Sequence, residues 1–166
     1  RGNRREKIFI DEIACRLFLE KLSKFSELYD IVIHSYCLMP NHFHLQLRTR
    51  HANLGKFMQS LLTSFTISMN RMHQSSGHLF QGRYKAHLVE SELYRNKLSR
   101  YIHLNPVKQK SLEGQPLSEI RKYLHDYKWS SFRSYIGIDR KPKWLDRNHV
   151  LASWGNSASE KIANYR

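Results

Sequence analysis

The feature that most constrains this chain is an apolar segment, a turn and a strictly alternating segment in direct succession. Residues 31–38 are rich in β-branched and apolar side chains, which favour a strand. Met39-Pro40-Asn41 follows, and Pro and Asn both favour turns. Residues 42–49 then alternate between polar and apolar side chains, as a half-buried strand does. The sequence therefore predicts a β-hairpin.

The second predicted strand places two imidazoles on one of its faces. Alternate residues of a strand point to the same side. One face carries His42, His44, Gln46 and Arg48, and the other carries Phe43, Leu45 and Leu47. Two neutral imidazoles held side by side can bind a divalent metal. The alternative is a solvated pair of histidines, and the spacing alone does not decide between the two.

Helices are predicted on both sides of the hairpin, because apolar residues recur there with the helical period. Their first turns have capping residues: Asp11 for a helix to about Tyr29, Asn53 for one to about residue 75, and Ser91 for one over residues 92–105, before Pro106. Residues 78–89 are predicted to form a loop and a strand.

The pattern changes towards the end of the chain. A short helix is predicted over residues 117–124 and a weak terminal helix from about Asn148, with the aromatic segment Trp129–Tyr135 between them. These features predict a main domain over residues 1–126 and a small C-terminal appendage over residues 127–166.

The charge of the chain points to a polyanionic partner. Lys and Arg number 28 against 14 Asp and Glu, giving a net charge of +14. Such an excess favours nucleic acid. No apolar run is long enough to span a bilayer, so a membrane partner is not expected. Cys15 and Cys37 fall in predicted core segments, which is typical of reduced cysteines in a cytoplasmic protein.

The third predicted helix offers the residues that a metal-assisted reaction needs. Tyr101 and Asn105 are one turn apart and share a face. An amide oxygen is a hard ligand suited to Mg²⁺ or Mn²⁺, and the Tyr101 hydroxyl is a potential nucleophile for a phosphate. Lys97 lies one turn earlier and would hold a phosphate oxygen or remain a solvated cation. Alternatively Tyr101 is a core residue, and Tyr94 lies on the same stripe.

Two motifs together resemble a known family. The segment Met39–Leu45, followed by Arg100–Val107, resembles the REP-associated tyrosine transposases, relatives of the single-tyrosine transposases of bacterial insertion sequences within the HUH endonuclease superfamily. The segments Arg1–Arg4, Gln81–Lys85 and Trp129–Tyr135 are also similar to that family. The resemblance covers nearly the whole chain, and the paired motifs are far more specific than the two histidines alone.

The resemblance implies an α+β fold, ferredoxin-like or RRM-like, in which helices pack on an antiparallel sheet. It implies that His42 and His44 hold Mg²⁺ or Mn²⁺, with Asn105 as the third ligand, and that Tyr101 is the nucleophile. The candidate DNA contacts are Arg83, Lys85, Arg133 and Lys97. Family members usually have a strand before the segment corresponding to Arg1–Arg4, so a preceding strand is expected to be missing from this chain.

The implied activity is cleavage and joining of single-stranded DNA at repetitive extragenic palindromes, which fold as hairpins. A 5′-phosphotyrosine link would store the energy of the cleaved bond, so no nucleotide cofactor is expected. The implied setting is the bacterial cytoplasm, in association with the nucleoid, as a monomer or homodimer. The alternative is a catalytically silent, domesticated transposase that binds DNA hairpins.

Two further site types fit less well. A histidine-triad hydrolase would need a third histidine where Gln46 stands. A structural zinc site built on Cys37, His42 and His44 lacks a fourth ligand at the usual spacing.

Overall fold

The computed structural model describes residues 1–166, apart from the side chain of residue 110. The helices are α1 Glu12–Leu28, α2 Leu54–Met72, α3 Glu92–His103, α4 Leu117–Asp126, α5 Phe132–Tyr135, α6 Asn148–Leu151 and α7 Ala158–Tyr165. The strands are β1 Ile31–Met39 and β2 His42–Thr49. Short 3₁₀ turns lie at Asn3–Arg5, Asn105–Lys108, Lys110–Leu112 and Ala152–Trp154.

The two strands form the predicted antiparallel hairpin, which confirms an α+β fold with helices packed around an antiparallel sheet. Pro40 and Asn41 make the turn between the strands. β1 is almost entirely buried and β2 is only partly buried. This difference follows from the sequence, because β1 is mostly apolar, with only His34 and Ser35 as polar exceptions, whereas β2 alternates.

The helix starts follow the predicted capping residues in two cases of three. Asp11 accepts a hydrogen bond from the backbone N–H of Ala14 at 2.7 Å, and Ser91 accepts one from that of Tyr94 at 3.2 Å. Such caps satisfy donors that the first helical turn leaves unpaired. Asn53 precedes α2 but does not cap it with its side chain.

Two predicted elements differ from the observed ones. The strand expected within residues 78–89 does not form, and only an isolated bridge joins Phe80 to Gly2. The short segment opposite it turns away at Asn3–Arg5, so no longer ladder can form. Helix α3 ends at His103 rather than at Asn105, and the chain continues as a 3₁₀ turn, because Pro106 lacks the N–H that an α-helical bond to Ile102 would need.

Contacts divide the chain into two compact units, and the hairpin contributes residues to both. The first unit comprises residues 1–32, 38–43 and 47–87. Its core is aromatic: Phe18 packs edge-on against Phe9 and Phe65, with ring centroids 5.2 Å apart in both pairs. Edge-to-face packing of this kind stabilises a core beyond the area that it buries.

The second unit comprises residues 33–37, 44–46 and 88–166. Its core cluster is Leu124, Phe132, Tyr135, Ile136, Val150, Leu151 and Tyr165. Residues 127–166 thus share a unit with α3 and α4. Contact units and folding domains are different divisions, so the boundary predicted at residue 126 stays a prediction. Among the described residues, no helix is long and apolar enough to cross a membrane.

Candidate active site

Helix α3 turns its tyrosines outward. Its buried residues are Ser99, Ile102 and His103. On the other side, Tyr94 is 45% exposed and Tyr101 is 50% exposed. The interpretation of Tyr101 as a core residue is therefore wrong, and its hydroxyl group belongs to a half-exposed side chain that a substrate can reach.

His44 lies against Tyr101. The two ring centroids are 6.0 Å apart and the rings meet edge to face, at 84°. Within the second unit, the structure therefore brings one predicted metal ligand beside the predicted nucleophile. The two residues are 57 positions apart in the sequence, so this contact is a result of the fold and not of local pattern.

Asn105 also lies beside Tyr101. Its Nδ2 donates to the backbone carbonyl of Tyr101 at 2.8 Å and to that of Ile102 at 3.3 Å. These bonds satisfy carbonyls that the end of α3 leaves unpaired. They do not use Oδ1, the atom that a metal ion would bind. The two hydrogen bonds from Nδ2 thus fix the orientation of the Asn105 amide, and Oδ1 is the amide atom that can accept a bond or bind a metal ion.

His42 lies two residues before His44 on β2 and belongs to the first unit. Its Nδ1 lies 2.7 Å from Oδ1 of Asn41, whose Nδ2 donates to the backbone carbonyl of Arg5 at 3.3 Å. Since Oδ1 is an acceptor, Nδ1 of His42 carries the proton and Nε2 the lone pair. Burial, and then the positive charge of Arg1, lower the pKa of His42 below its usual value.

The donor atoms fit a divalent metal, although none of the contacts tests its presence. His42 is held as a neutral imidazole with a defined tautomer, which is the form that binds metals. Among the described residues, no three His, Cys, Asp or Glu side chains are grouped to hold a metal. The predicted set contains two histidines and an amide, so the metal stays a prediction. Burial raises the pKa of the Cys37 thiol to about 12.

Lys108 contacts Tyr101 in a way that the sequence did not suggest. Its Nζ lies 3.5 Å from the centroid of the Tyr101 ring, which is a cation–π contact. Desolvation lowers the pKa of Lys108 below its usual value. The 3₁₀ turn Asn105–Lys108 folds this lysine back over the helix end. Helical periodicity could not have predicted the contact, because the chain has left the helix by that point.

Gln46 connects the hairpin to α3. Its Oε1 accepts a hydrogen bond from the Ser35 hydroxyl at 2.9 Å, and its Nε2 donates to the backbone carbonyl of Arg95 at 3.1 Å. The side chain is buried, with 4% of its surface exposed. The alternation of β2 correctly predicted the strand face on which Gln46 lies. It did not predict that the Gln46 side chain is buried there with both ends of its amide hydrogen-bonded.

His103 is buried in a polar network on the inner side of α3. Its Nδ1 and Nε2 each lie 2.7 Å from a hydroxyl, those of Tyr165 and Ser131 respectively. Tyr165 donates onward to Ser99 at 2.9 Å, so its hydroxyl oxygen accepts from His103 Nδ1. Burial lowers the pKa of His103 to about 3. His103 is therefore structural and neutral, and its buried ring does not reach a DNA substrate.

The predicted DNA contacts have different surroundings. Arg83 and Lys85 are exposed in the irregular segment before α3, and Lys97 is exposed on α3. Arg133 donates to both oxygens of Asp139, at 2.7 and 2.9 Å, and to the backbone carbonyl of His125 at 2.6 Å. These contacts favour a structural role for Arg133, whereas a DNA contact stays a prediction for all four cations.

The chain matches a family of known proteins. The family model described as "Transposase IS200 like" matches residues 1–105. No curated protein and no solved structure matches the chain. The matched residues include the hairpin histidines, Tyr101 and Asn105, so the resemblance to single-tyrosine transposases is confirmed at the level of the family. Because the match covers more than half of the 166 residues, the chain belongs to the IS200-like transposase family.

Proposed function

We propose that this chain cleaves and rejoins single-stranded DNA, with Tyr101 as the nucleophile. Membership of a transposase family makes it a DNA-processing protein. The observation that carries the finer proposal is the half-exposed side chain of Tyr101, whose ring contacts both the His44 ring and the ammonium of Lys108. A nucleophile, a metal-ligand type and a fixed cation in contact are typical of phosphoryl transfer.

The proposed step is a transesterification. The hydroxyl oxygen of Tyr101 forms a bond to the scissile phosphorus, and the bond from phosphorus to the 3′ oxygen of the preceding nucleotide breaks. The phenol loses its proton and the departing 3′ oxygen gains one. The product is a 5′-phosphotyrosine link and a free 3′-hydroxyl, and attack by a 3′-hydroxyl reverses the step. No bond energy is lost, so joining needs no nucleotide cofactor.

The ligand set proposed for Mg²⁺ or Mn²⁺ is His42, His44 and Asn105. His44 and Asn105 both contact Tyr101, and His42 is included because of its motif and its neutral tautomer. A bound divalent ion would withdraw charge from the phosphate and so favour attack on it. In this arrangement Asn105 presents its oxygen because its nitrogen is bound to the helix end.

The proposed substrate is DNA that folds as a hairpin, such as a repetitive extragenic palindrome. The net charge of +14 supports binding to a polyanion. Half-exposed tyrosines on α3 support unpaired bases as part of the substrate, because bases stack on aromatic rings. The palindrome itself rests on the similarity of the paired motifs to those of REP-associated transposases.

The direct test is a search for a covalent adduct. The protein is incubated with hairpin DNA labelled at its 3′ end, which stays with the protein after cleavage, and with Mn²⁺ or Mg²⁺. The mixture is then denatured and separated by electrophoresis. A labelled protein band is expected for the parent and for Tyr94→Phe, and none for Tyr101→Phe. A band from Tyr101→Phe would move the nucleophile elsewhere. Hairpin binding without any band in the parent would favour a silent, domesticated transposase.

A further inference from the structure

Residues 1–7 form a basic segment that the proposed chemistry does not use. Four cations lie in it, Arg1, Arg4, Arg5 and Lys7, against the single carboxylate of Glu6. The side chains of Arg4 and Arg5 are exposed. Among the described residues, neither guanidinium pairs with a carboxylate. Two adjacent arginines are therefore available to an anionic ligand.

The backbone of this segment is firmly attached to its surroundings. Three N–H groups donate to neighbouring carbonyls: Gly2 to Asn41 at 2.7 Å, Asn3 to Leu79 at 3.0 Å, and Ile8 to Pro40 at 2.7 Å. A Cβ at Gly2 would overlap the carbonyl oxygen of Glu6, so the position requires glycine. The segment is thus a defined structure that lies on the hairpin turn.

Arg4 and Arg5 have an unfavourable backbone conformation. Their φ angles are +49° and +62°, in the left-handed region that side chains with a Cβ rarely adopt. Strained backbone persists where the surrounding bonds over-determine it, and such positions concentrate at functional sites. Here the anchoring bonds on both sides of the turn hold two consecutive arginines in this conformation, with both side chains in solvent.

The same turn orients His42. Nδ2 of Asn41 donates to the carbonyl of Arg5 at 3.3 Å, and Oδ1 of Asn41 lies 2.7 Å from Nδ1 of His42. One amide therefore joins the arginine turn to a proposed metal ligand. All of these residues belong to the first unit.

We infer that Arg4 and Arg5 form a phosphate-binding site for the DNA strand bound beside His42. The inference rests on the proposed function and adds a binding site to it. Guanidinium groups suit this role because their donors match the oxygens of a phosphate in pairs. The site reads the sugar–phosphate backbone, so it contributes affinity and strand position but no base specificity.

The test removes both arginines without disturbing the turn. Glycine is comfortable at these φ angles, so Arg4→Gly with Arg5→Gly should fold with an unchanged or higher Tm. Arg4→Asn with Arg5→Asn is a second variant, because asparagine also tolerates this region. The control is Arg16→Ala with Lys24→Ala, which removes two exposed cations of α1 in the same unit. Affinity for a labelled hairpin strand is measured by fluorescence anisotropy at several salt concentrations.

The arginine variants should bind about tenfold more weakly than the parent, and the salt slope should fall by roughly 0.7 to 0.9 for each phosphate that is no longer neutralised. The control should retain the parent's affinity. If the folded Gly and Asn variants bind as tightly as the parent, the phosphate-binding inference is wrong but the proposed function is unaffected. The same conclusion follows if the control loses as much affinity as the arginine variants. A parent that neither binds the strand nor forms the adduct would overturn the proposed function as well.

Discussion

The ammonium of Lys108 lies 3.5 Å from the centroid of the Tyr101 ring. This contact comes from two different elements, α3 and the 3₁₀ turn that follows it, and it joins them at the residue proposed to attack DNA. The pair therefore restricts the rotation of a half-exposed ring, together with the ring of His44.

Lys108→Ala should slow adduct formation about threefold to tenfold. An exposed cation–π contact contributes roughly 0.5 to 1 kcal/mol to holding the ring, and the ammonium would also donate a hydrogen bond to the phosphate of the DNA. Lys108→Arg should retain most of the rate, since a guanidinium also stacks on an aromatic ring. Lys122→Ala, which removes an exposed lysine from α4 of the same unit, is the control. Equal rates for Lys108→Ala and the parent in single-turnover assays would contradict this role.

Gln46→Met should lower the rate of adduct formation by at least tenfold, because a misplaced reacting group can lower a reaction rate by up to about a hundredfold. The Kd for hairpin DNA should change less than about twofold. Methionine has a similar volume but cannot donate to the carbonyl of Arg95, so α3 loses its bond to β2. Ser35→Ala is the matched variant, since it removes only the bond between Gln46 and β1. A parallel loss of rate and of DNA affinity in Gln46→Met would point to general unfolding instead.

His103→Gln should weaken the pH dependence of stability. The folded protein holds the pKa of His103 at about 3, whereas an unfolded histidine titrates near 6.5. Between these pH values the unfolded chain binds the additional proton, so stability rises with pH and is lost as pH falls from 6.5 towards 3. The slope contributed is at most about 1.4 kcal/mol per pH unit. Urea unfolding at pH 4.5 and 7 should show a smaller difference for His103→Gln than for the parent.

His44→Ala should abolish adduct formation, and EDTA should have the same effect on the parent. The imidazole of His44 contacts Tyr101 and is half of the proposed nitrogen ligand set. Addition of Mn²⁺ or Mg²⁺ to the EDTA-treated parent should restore the band, because imidazole and amide oxygen together suit both ions. Full activity in EDTA would remove the metal from the mechanism. Circular dichroism of His44→Ala checks that the fold is retained.

Arg83→Ala with Lys85→Ala should lower the salt slope of DNA binding by about 0.7 to 0.9 per phosphate bound, because both side chains are exposed and lie in an irregular segment. Arg133→Ala should instead lower the free energy of unfolding by about 1 kcal/mol, since the bonds to the exposed Asp139 and to the carbonyl of His125 are lost. Salt titrations and urea unfolding of both variants distinguish the two roles. A lower salt slope for Arg133→Ala would show that Arg133 contacts DNA despite its bonds to Asp139.

The hairpin and the helix starts could be predicted because their causes are local. Alternation over residues 42–49, the turn at Pro40 and the caps at Asp11 and Ser91 depend on residues that are neighbours in sequence. The proposed nucleophile followed from its motif and its helix. In contrast, Gln46 binds a carbonyl 49 residues away and His103 binds a hydroxyl 62 residues away. Contacts at such separations depend on tertiary packing, and periodicity carries no information about them.

The hydrogen bond between His103 and Tyr165 cannot form until the ribosome has synthesised almost the whole chain. The two residues are 62 positions apart, so the ribosome makes the whole of α3 well before the residue that fixes its inner side. At about 5 to 20 residues per second, this interval lasts roughly 3 to 12 s. During that time the nascent chain already contains Tyr101 but lacks the hydroxyl that completes the buried network. A chain that stops before Tyr165 would keep the proposed nucleophile but lose the contact that fixes the inner side of α3, so prematurely terminated products should form little of the proposed DNA adduct.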